Sequence, residues 1–232
     1  QRVLREEKIA RLARSKAVLS GINSAIVRIR NREDLFREAC RIAVEDGKFR
    51  MAWIGLAEPD LGKVRPVSWM GAVDGYLDEV GQALDGIATD LGAAGRALRE
   101  KHPVVFNDIE KDAEVAFRKE ALARGYRSLA VLPLLVRDAA AGVIALYAWE
   151  PGSFDQEEMK LLTELAGDIS FALEVMEKEE QLVYIAHHDV LTGLPNRALF
   201  SERLDQRVRA AHHDRKLFAV VMLDLERFRN IN

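Results

Sequence analysis

Apolar residues along this chain fall either at helical spacing or in short continuous runs, and the switches between the two divide it. Within residues 1–30, Leu12, Leu19, Ile22, Ile26 and Ile29 share one helical stripe, the last four spaced three, four and three residues apart. That spacing fits a coiled-coil seam or an amphipathic helix packed on its own domain. A second helix is predicted over 31–46, with Leu35, Phe36, Ala39, Ile42 and Ala43 on one side, Asn31 or a neighbour capping its start and Gly47 at its end. The helical spacing then gives way to short apolar and aromatic runs. Strands are predicted over 49–57, 63–70, 103–106, 129–136 and 142–149. The first two are joined by Glu58-Pro59-Asp60-Leu61-Gly62 and the last two by 137–141. Short helices are predicted at 76–82, 93–100 and 115–124. At Asp155, with Glu158 three residues later in a capping-box pattern, the helical period returns. Leu162, Ala166, Ile169, Leu173, Met176, Glu180, Val183 and His187 keep a four–three spacing. This predicts a parallel coiled coil between two subunits, or packing of the first half on its own sheet.

The pattern breaks again near His187. Gly193, Pro195 and Asn196 punctuate a turn, and Asn196 is placed to cap a following helix. The apolar run 218–223 is short enough for a buried strand, and it ends in Asp224. A carboxylate at the carboxyl end of such a strand suits a hard cation such as Mg²⁺. It equally suits a cap for the next helix.

Composition narrows the class. The chain has 232 residues, 49% hydrophobic and 31% charged, as in globular proteins. A net charge of -3 argues against a general nucleic-acid binder. The single cysteine, Cys40, cannot form an intrachain disulfide and fits a reducing, cytoplasmic setting; it lies in a predicted helix as a small core residue. No apolar run approaches the roughly 20 residues of a membrane span, which leaves an anchor upstream of Gln1 open. Starting at Gln1 and ending inside a motif, the sequence reads as a segment of a longer protein.

Four stretches carry a resemblance over 31–178: PVVFNDI, RGYRSLAVLPLLV, GVIALYAWEPGSFDQEE and LLTELAGDISFALE. In this order they resemble a GAF domain, a sensor module with an antiparallel sheet and flanking helices. The resemblance implies a small-molecule pocket, for which Trp53, Trp69, Phe106, Phe117, Tyr126 and Tyr147 are the candidate lining residues, although aromatics on strands are core residues far more often than ligand contacts. No haem or bilin is expected, because Cys40 sits in the first domain helix and His102 precedes Pro103 in a turn. The Asn-Lys-x-Phe-Asp-Glu set of the cyclic-nucleotide-binding members is not evident.

Two further motifs follow: HHDVLTGLPNRALF at 187–200 and VVMLDLERFRNIN at 220–232. They resemble the opening of a GGDEF domain, the diguanylate cyclase family; the Gly-Gly-Asp/Glu-Glu-Phe loop itself is not in this sequence. The resemblance implies an α+β chain. A signalling helix (1–30) precedes a GAF sensor domain (31–178), whose last helix, from about 155, continues as a coiled-coil linker. The linker end and the start of an α/β nucleotidyl cyclase-like GGDEF domain follow (179–232). It implies condensation of two GTP into cyclic di-GMP with release of pyrophosphate, using Mg²⁺, in a homodimer joined through 1–30 and 155–188. Asp224 and the backbone carbonyl of Leu225 stand where the family holds metal. Arg227 and Phe228 would turn backbone N–H groups to phosphate, and Asn232 would bond guanine. Glu226 and Arg229 replace the usual Asp and Lys with charge kept, and Asp189, Asn196 and Arg197 pin the entry turn. This fragment is expected to be inactive alone. A degenerate nucleotide-binding module regulating a downstream phosphodiesterase, and a non-catalytic dimerising sensor, are the alternatives.

Overall fold

The computed structural model describes residues 2–58, 63–71, 75–77 and 92–223, with side chains from residue 9 onward. The described elements are α1 (Arg2–Arg28), α2 (Arg32–Glu45), β1 (Met51–Glu58), β2 (Lys63–Gly71), α3 (Ala93–Glu100), β3 (Val104–Phe106), α4 (Arg118–Ala123), β4 (Ser128–Val136), β5 (Ala139–Ala148), α5 (Gln156–His187) and α6 (Arg197–Asp214). Two units emerge, 1–177 and 178–232. The turn expected at 58–62 and the helix expected at 76–82 fall wholly or mostly outside the described residues.

The first unit is organised by a five-stranded antiparallel sheet in the order β2-β1-β5-β4-β3. Alternation along its strands sorts side chains onto two faces. Ala52, Ile54, Ala130, Leu132, Leu134, Ile144 and Leu146 join residues of α1, α2 and α5 in one core. Met51, Trp53, Leu129, Val131, Val143, Ala145 and Tyr147 join α3 and the 104–126 segment in another. Strands with both faces buried read as near-continuous apolar runs, as β4 does in Ser-Leu-Ala-Val-Leu-Pro-Leu-Leu-Val.

The β4–β5 connection is tighter than its small residues suggest. Arg137 and Asp138 both take positive φ, at 49° and 61°, as a two-residue primed turn requires. The chain therefore re-enters the ladder at Ala139, and a bulge beside Leu134 and Leu135 restores the register.

Helix α1 packs on its own unit. The buried line is Ser15, Val18, Ile22 and Ala25, with Leu19, Ile26 and Ile29 at its flank. Gly47 makes this possible: a Cβ there would clash with Val18 Cγ2 and with the Ala43 carbonyl. Along α5 the expected intersubunit seam is likewise occupied from within. Leu162, Ala166, Ile169, Leu173 and Met176 are buried in the helix-side core. Ser170 Oγ also accepts the Leu135 N–H at 2.9 Å, fixing α5 to the sheet. Beyond Met176 that line continues into exposed residues, Val183 among them. Among the described residues, no helix is long and apolar enough to cross a membrane.

In the second unit, 218–223 is not a strand. Residues Val220 to Leu223 are all exposed, with Leu223 at 90%. A strand needs neighbours to satisfy its ladder, and no other strand is present among the described residues of this unit.

Candidate functional site

On the sheet face opposite α1, α2 and α5, a cavity of about 90 Å³ opens between the strands and the 92–117 segment. Strand alternation aims Trp53 from β1, Leu129 and Val131 from β4, and Tyr147 from β5 into this layer; Phe106 ends β3 beside Leu129. Phe117 closes one side from a backbone at φ 57°, ψ 33°, a left-handed conformation uncommon for a bulky residue. Such a residue costs about 1–3 kcal/mol and persists where its surroundings dictate it. The first turn of α3, residues 92–95, forms another wall, and its Gly92 N-cap supplies no side chain. The lining is almost wholly apolar, with tyrosine hydroxyls and backbone as its polar elements. An engineered apolar cavity of about 150 Å³ admits benzene, so this space is on the scale of a single ring.

Of the aromatics expected here, Trp53, Phe106, Phe117 and Tyr147 line the cavity. Trp69 does not. It lies on the edge strand β2, 53% exposed, beside a surface groove with Arg32 and Phe36. Tyr126 does not line it either. It is wholly buried behind the wall, edge-on to Tyr76 at 5.4 Å, 4.7 Å from Tyr147, and donates its hydroxyl to Met51 Sδ at 3.3 Å. Tyr76, Val64, Pro66 and Val115 complete the wall without having been singled out. A tyrosine in a Gly- and Asp-rich stretch was the one available signal for Tyr76.

Burial, first of all, pushes the Tyr76 phenol far up, with Tyr147 adding to it; burial also raises Tyr147. Both hydroxyls therefore stay neutral. The Trp53 indole Nε1 is buried and finds no acceptor in bonding geometry, though the Tyr147 hydroxyl is near enough for its pKa to be drawn down by it. Cys40 lies on the other face of the sheet, fully buried, its thiol pushed up to about 12 by burial. It is a core residue and not a reactive thiol.

The second region begins where α5 ends. His188 N–H donates to Tyr184 O at 2.8 Å, and Gly193, at φ 68°, lets the chain turn back so that its N–H reaches Asp189 O at 2.8 Å. Asp189 Oδ1 accepts from Thr192 N at 2.9 Å and Thr192 Oγ1 at 2.8 Å; the Thr192 hydroxyl, foremost, holds this carboxyl below its usual range. Asn196 ties both ends. Its Nδ2 donates to Ala186 O at 2.9 Å, and its Oδ1 caps α6 by accepting from Leu199 N at 3.1 Å. Asp189 and Asn196 thus hold the turn, and Asn196 caps the helix that follows it. Asp224, Leu225, Arg227, Phe228 and Asn232 lie outside the described residues.

Known proteins match both regions. A GAF domain family model covers residues 30–174, and a model described as diguanylate cyclase, GGDEF domain, covers 186–232. Diguanylate cyclase TpbB of Pseudomonas aeruginosa is 42% identical over 63 residues, 27% of this chain and 14% of that protein. The bifunctional diguanylate cyclase/cyclic di-GMP phosphodiesterase MucR of the same species is 31% identical over 104 residues, 45% of this chain and 14% of that protein. The chain thus spans about a seventh of the length of these relatives. Among solved structures, the GAF domain of a phosphoenolpyruvate-protein phosphotransferase from Coxiella burnetii aligns with TM-score 0.60 at 13% identity, over 73% of this chain and 98% of that one. Free methionine-R-sulfoxide reductase from Neisseria meningitidis, in complex with its substrate, aligns with TM-score 0.59 at 17% identity, over 71% and 91%. At these identities the likeness is one of fold. The chain belongs to the GAF domain family and carries, from residue 186, the opening of a GGDEF domain of the diguanylate cyclase family.

Proposed function

We propose that the whole protein is a sensor-regulated diguanylate cyclase that joins two GTP into cyclic di-GMP and releases pyrophosphate. The observation that supports this most is continuity. One unbroken helix, α5, starts on the sheet of the sensor domain and leads the chain into the Asp189–Asn196 turn of the GGDEF motif. The GGDEF match over 186–232 and the likeness to two named cyclases support the reaction class.

In this reading Asp224 and the Leu225 carbonyl hold Mg²⁺. Both are hard oxygen donors, the set that magnesium takes while bridging to substrate phosphates. The ion would neutralise charge on phosphate oxygens. Arg227 and Phe228 present backbone N–H groups to phosphate at a helix start, and Asn232 reads guanine by hydrogen bonds. Each domain holds one GTP, so two protomers must face each other, joined through 1–30 and 155–188. Because α1 and the first half of α5 spend their inner faces on their own unit, the outer faces and the exposed 182–185 run are left for this contact.

The sensor ligand is small, uncharged and mostly apolar, as the described lining residues are. An apolar wall with neutral tyrosines repays the desolvation of such a body and not that of a phosphate. The protein works in a bacterial cytoplasm.

Asp224→Ala in the whole protein tests the reading. Loss of cyclic di-GMP synthesis with the dimer intact is expected; retained synthesis removes Asp224 from the metal role. The 232-residue chain given GTP and Mg²⁺ should make no product. The likeness to MucR, described as bifunctional, supports a second reading in which this domain only binds nucleotide and regulates a phosphodiesterase. Asp224→Ala would then alter phosphodiester hydrolysis and leave no synthesis to lose.

A further inference from the structure

The start of α5 holds a buried acid that neither the sensor cavity nor the cyclase motif uses. Glu158 is the third residue of α5, where a capping box would send its carboxylate back to the backbone N–H of Asp155. Only half of that box forms. Asp155 Oδ1 accepts from Glu158 N at 3.0 Å and Glu157 N at 2.9 Å. The Glu158 carboxyl turns inward instead, 3% exposed, to the junction of α5 with α1. Its Oε1 takes one long bond from Ser15 Oγ of α1, at 3.3 Å, and its Oε2 is buried with no partner. Ser15 is itself 2% exposed. Four residues earlier on α1, Arg11 donates from one guanidinium nitrogen to Gly152 O at 2.8 Å, while its Nε is buried without an acceptor.

A carboxylate with one weak donor and an orphaned oxygen is poorly placed to be charged. The charged groups around it do not repair this. Arg11 and Arg14 face it from α1 and favour ionisation, yet neither forms an ion pair with it among the described residues. Asp155 at the start of α5 opposes ionisation. Lys48 from the α2–β1 turn and Glu150 from the β5–α5 loop line the same small polar recess. Burial is the foremost influence, Asp155 the next, and together they hold the carboxyl above the ordinary glutamate range. A proton on Oε2 gives the group a donor of its own.

We propose that Glu158 is a proton-operated latch between the two ends of the sensor: in its neutral form it holds input helix α1 on the start of output helix α5, and ionisation releases α1. The sign follows from linkage. A carboxyl whose pKa is raised in the docked state binds its proton more tightly there, so docking is fully supported at low pH and weakens as pH rises through the interval between the free and docked values. This inference is independent of the cyclase reading and of any ligand in the cavity, since it concerns only the α1–α5 junction.

Hydrogen–deuterium exchange of α1 amides, corrected for intrinsic rates, tests it on the 232-residue chain. From about pH 5 to about pH 8, protection around Ser15 and Val18 should fall in the native protein, by up to about tenfold per pH unit where the carboxyl titrates. In Glu158→Gln, whose amide mimics the neutral acid, protection should stay level across that range. Native protection that is flat with pH, or a Glu158→Gln variant that loses protection as the native protein does, overturns the proposal. So does failure of Glu158→Gln to fold, because the neutral state is the one held to be docked. A carbon-13 titration of the Glu158 carboxyl should give a midpoint above that of the exposed glutamates, and an ordinary midpoint would equally overturn it.

Discussion

Asn107 grips the backbone of Phe154 from both sides: its Nδ2 donates to the Phe154 carbonyl at 2.9 Å, and its Oδ1 accepts the Phe154 N–H at 3.0 Å. The two residues are 47 apart in sequence. Asn107 follows Phe106, which lines the cavity; Phe154 lies two residues before α5, stacked on Phe49 at 5.9 Å. A single amide therefore joins the cavity wall to the start of the helix that leaves the sensor. Asn107→Ala should cost about 1–2 kcal/mol, the worth of two hydrogen bonds partly replaced by water. Asn107→Asp keeps the acceptor but sets a carboxylate oxygen against the Phe154 carbonyl, and should cost more. Urea unfolding of the two variants measures the order, and equal losses would argue against the two-sided grip.

Gly47 is required by space. Its missing Cβ leaves room for Val18 of α1 and for the Ala43 carbonyl. Gly47→Ala should destabilise the first unit by about 1–3 kcal/mol through overpacking. Val18→Ala in that background should recover part of the loss, because one of the two clashes is with a side chain that can be shortened. A thermal-denaturation double-mutant cycle reports the coupling.

The tyrosine cluster sets an alkaline limit. Burial raises Tyr76 and Tyr147 above the ordinary phenol value. Their contribution to stability is fully present below about pH 10, the unfolded value, and is lost as pH rises beyond it. Ultraviolet titration should show Tyr76 and Tyr147 ionising only as the domain unfolds. Tyr147→Phe should move the onset of unfolding to higher pH.

Asn196 closes the entry turn of the second unit and caps α6 in one side chain. Asn196→Ala should cost about 1–2 kcal/mol of local stability, the range for a lost N-cap. Asn196→Ser should recover the cap and leave the bond to Ala186 missing. Amide exchange at the first turn of α6 separates the two effects.

Much of this protein was legible as pattern. Short apolar and aromatic runs between turn residues marked the strands that carry Trp53, Leu129 and Tyr147, and helical spacing marked α2 and α5, because both follow from local geometry alone. Asn31 and Asn196 announced helix starts because a short amide at that position has one local use, to accept the N–H three residues on. Which partner an apolar stripe meets is a different matter. Leu162 to Met176 suit a neighbouring subunit or the molecule's own sheet equally well, and the choice fell to the sheet because β4 and β5 offer it a complete apolar face. Tyr126 and Trp69 looked alike as pocket aromatics until topology put one behind the wall and the other on an edge strand. Glu158 read as half of a capping box, and only the approach of Ser15 from 143 residues away turned it inward. The sequence by itself determined the elements, their order and their family, since those rest on local spacing. The tertiary structure alone decided the cavity, the grip of Asn107 and the buried acid, since each depends on contacts between residues that no period links.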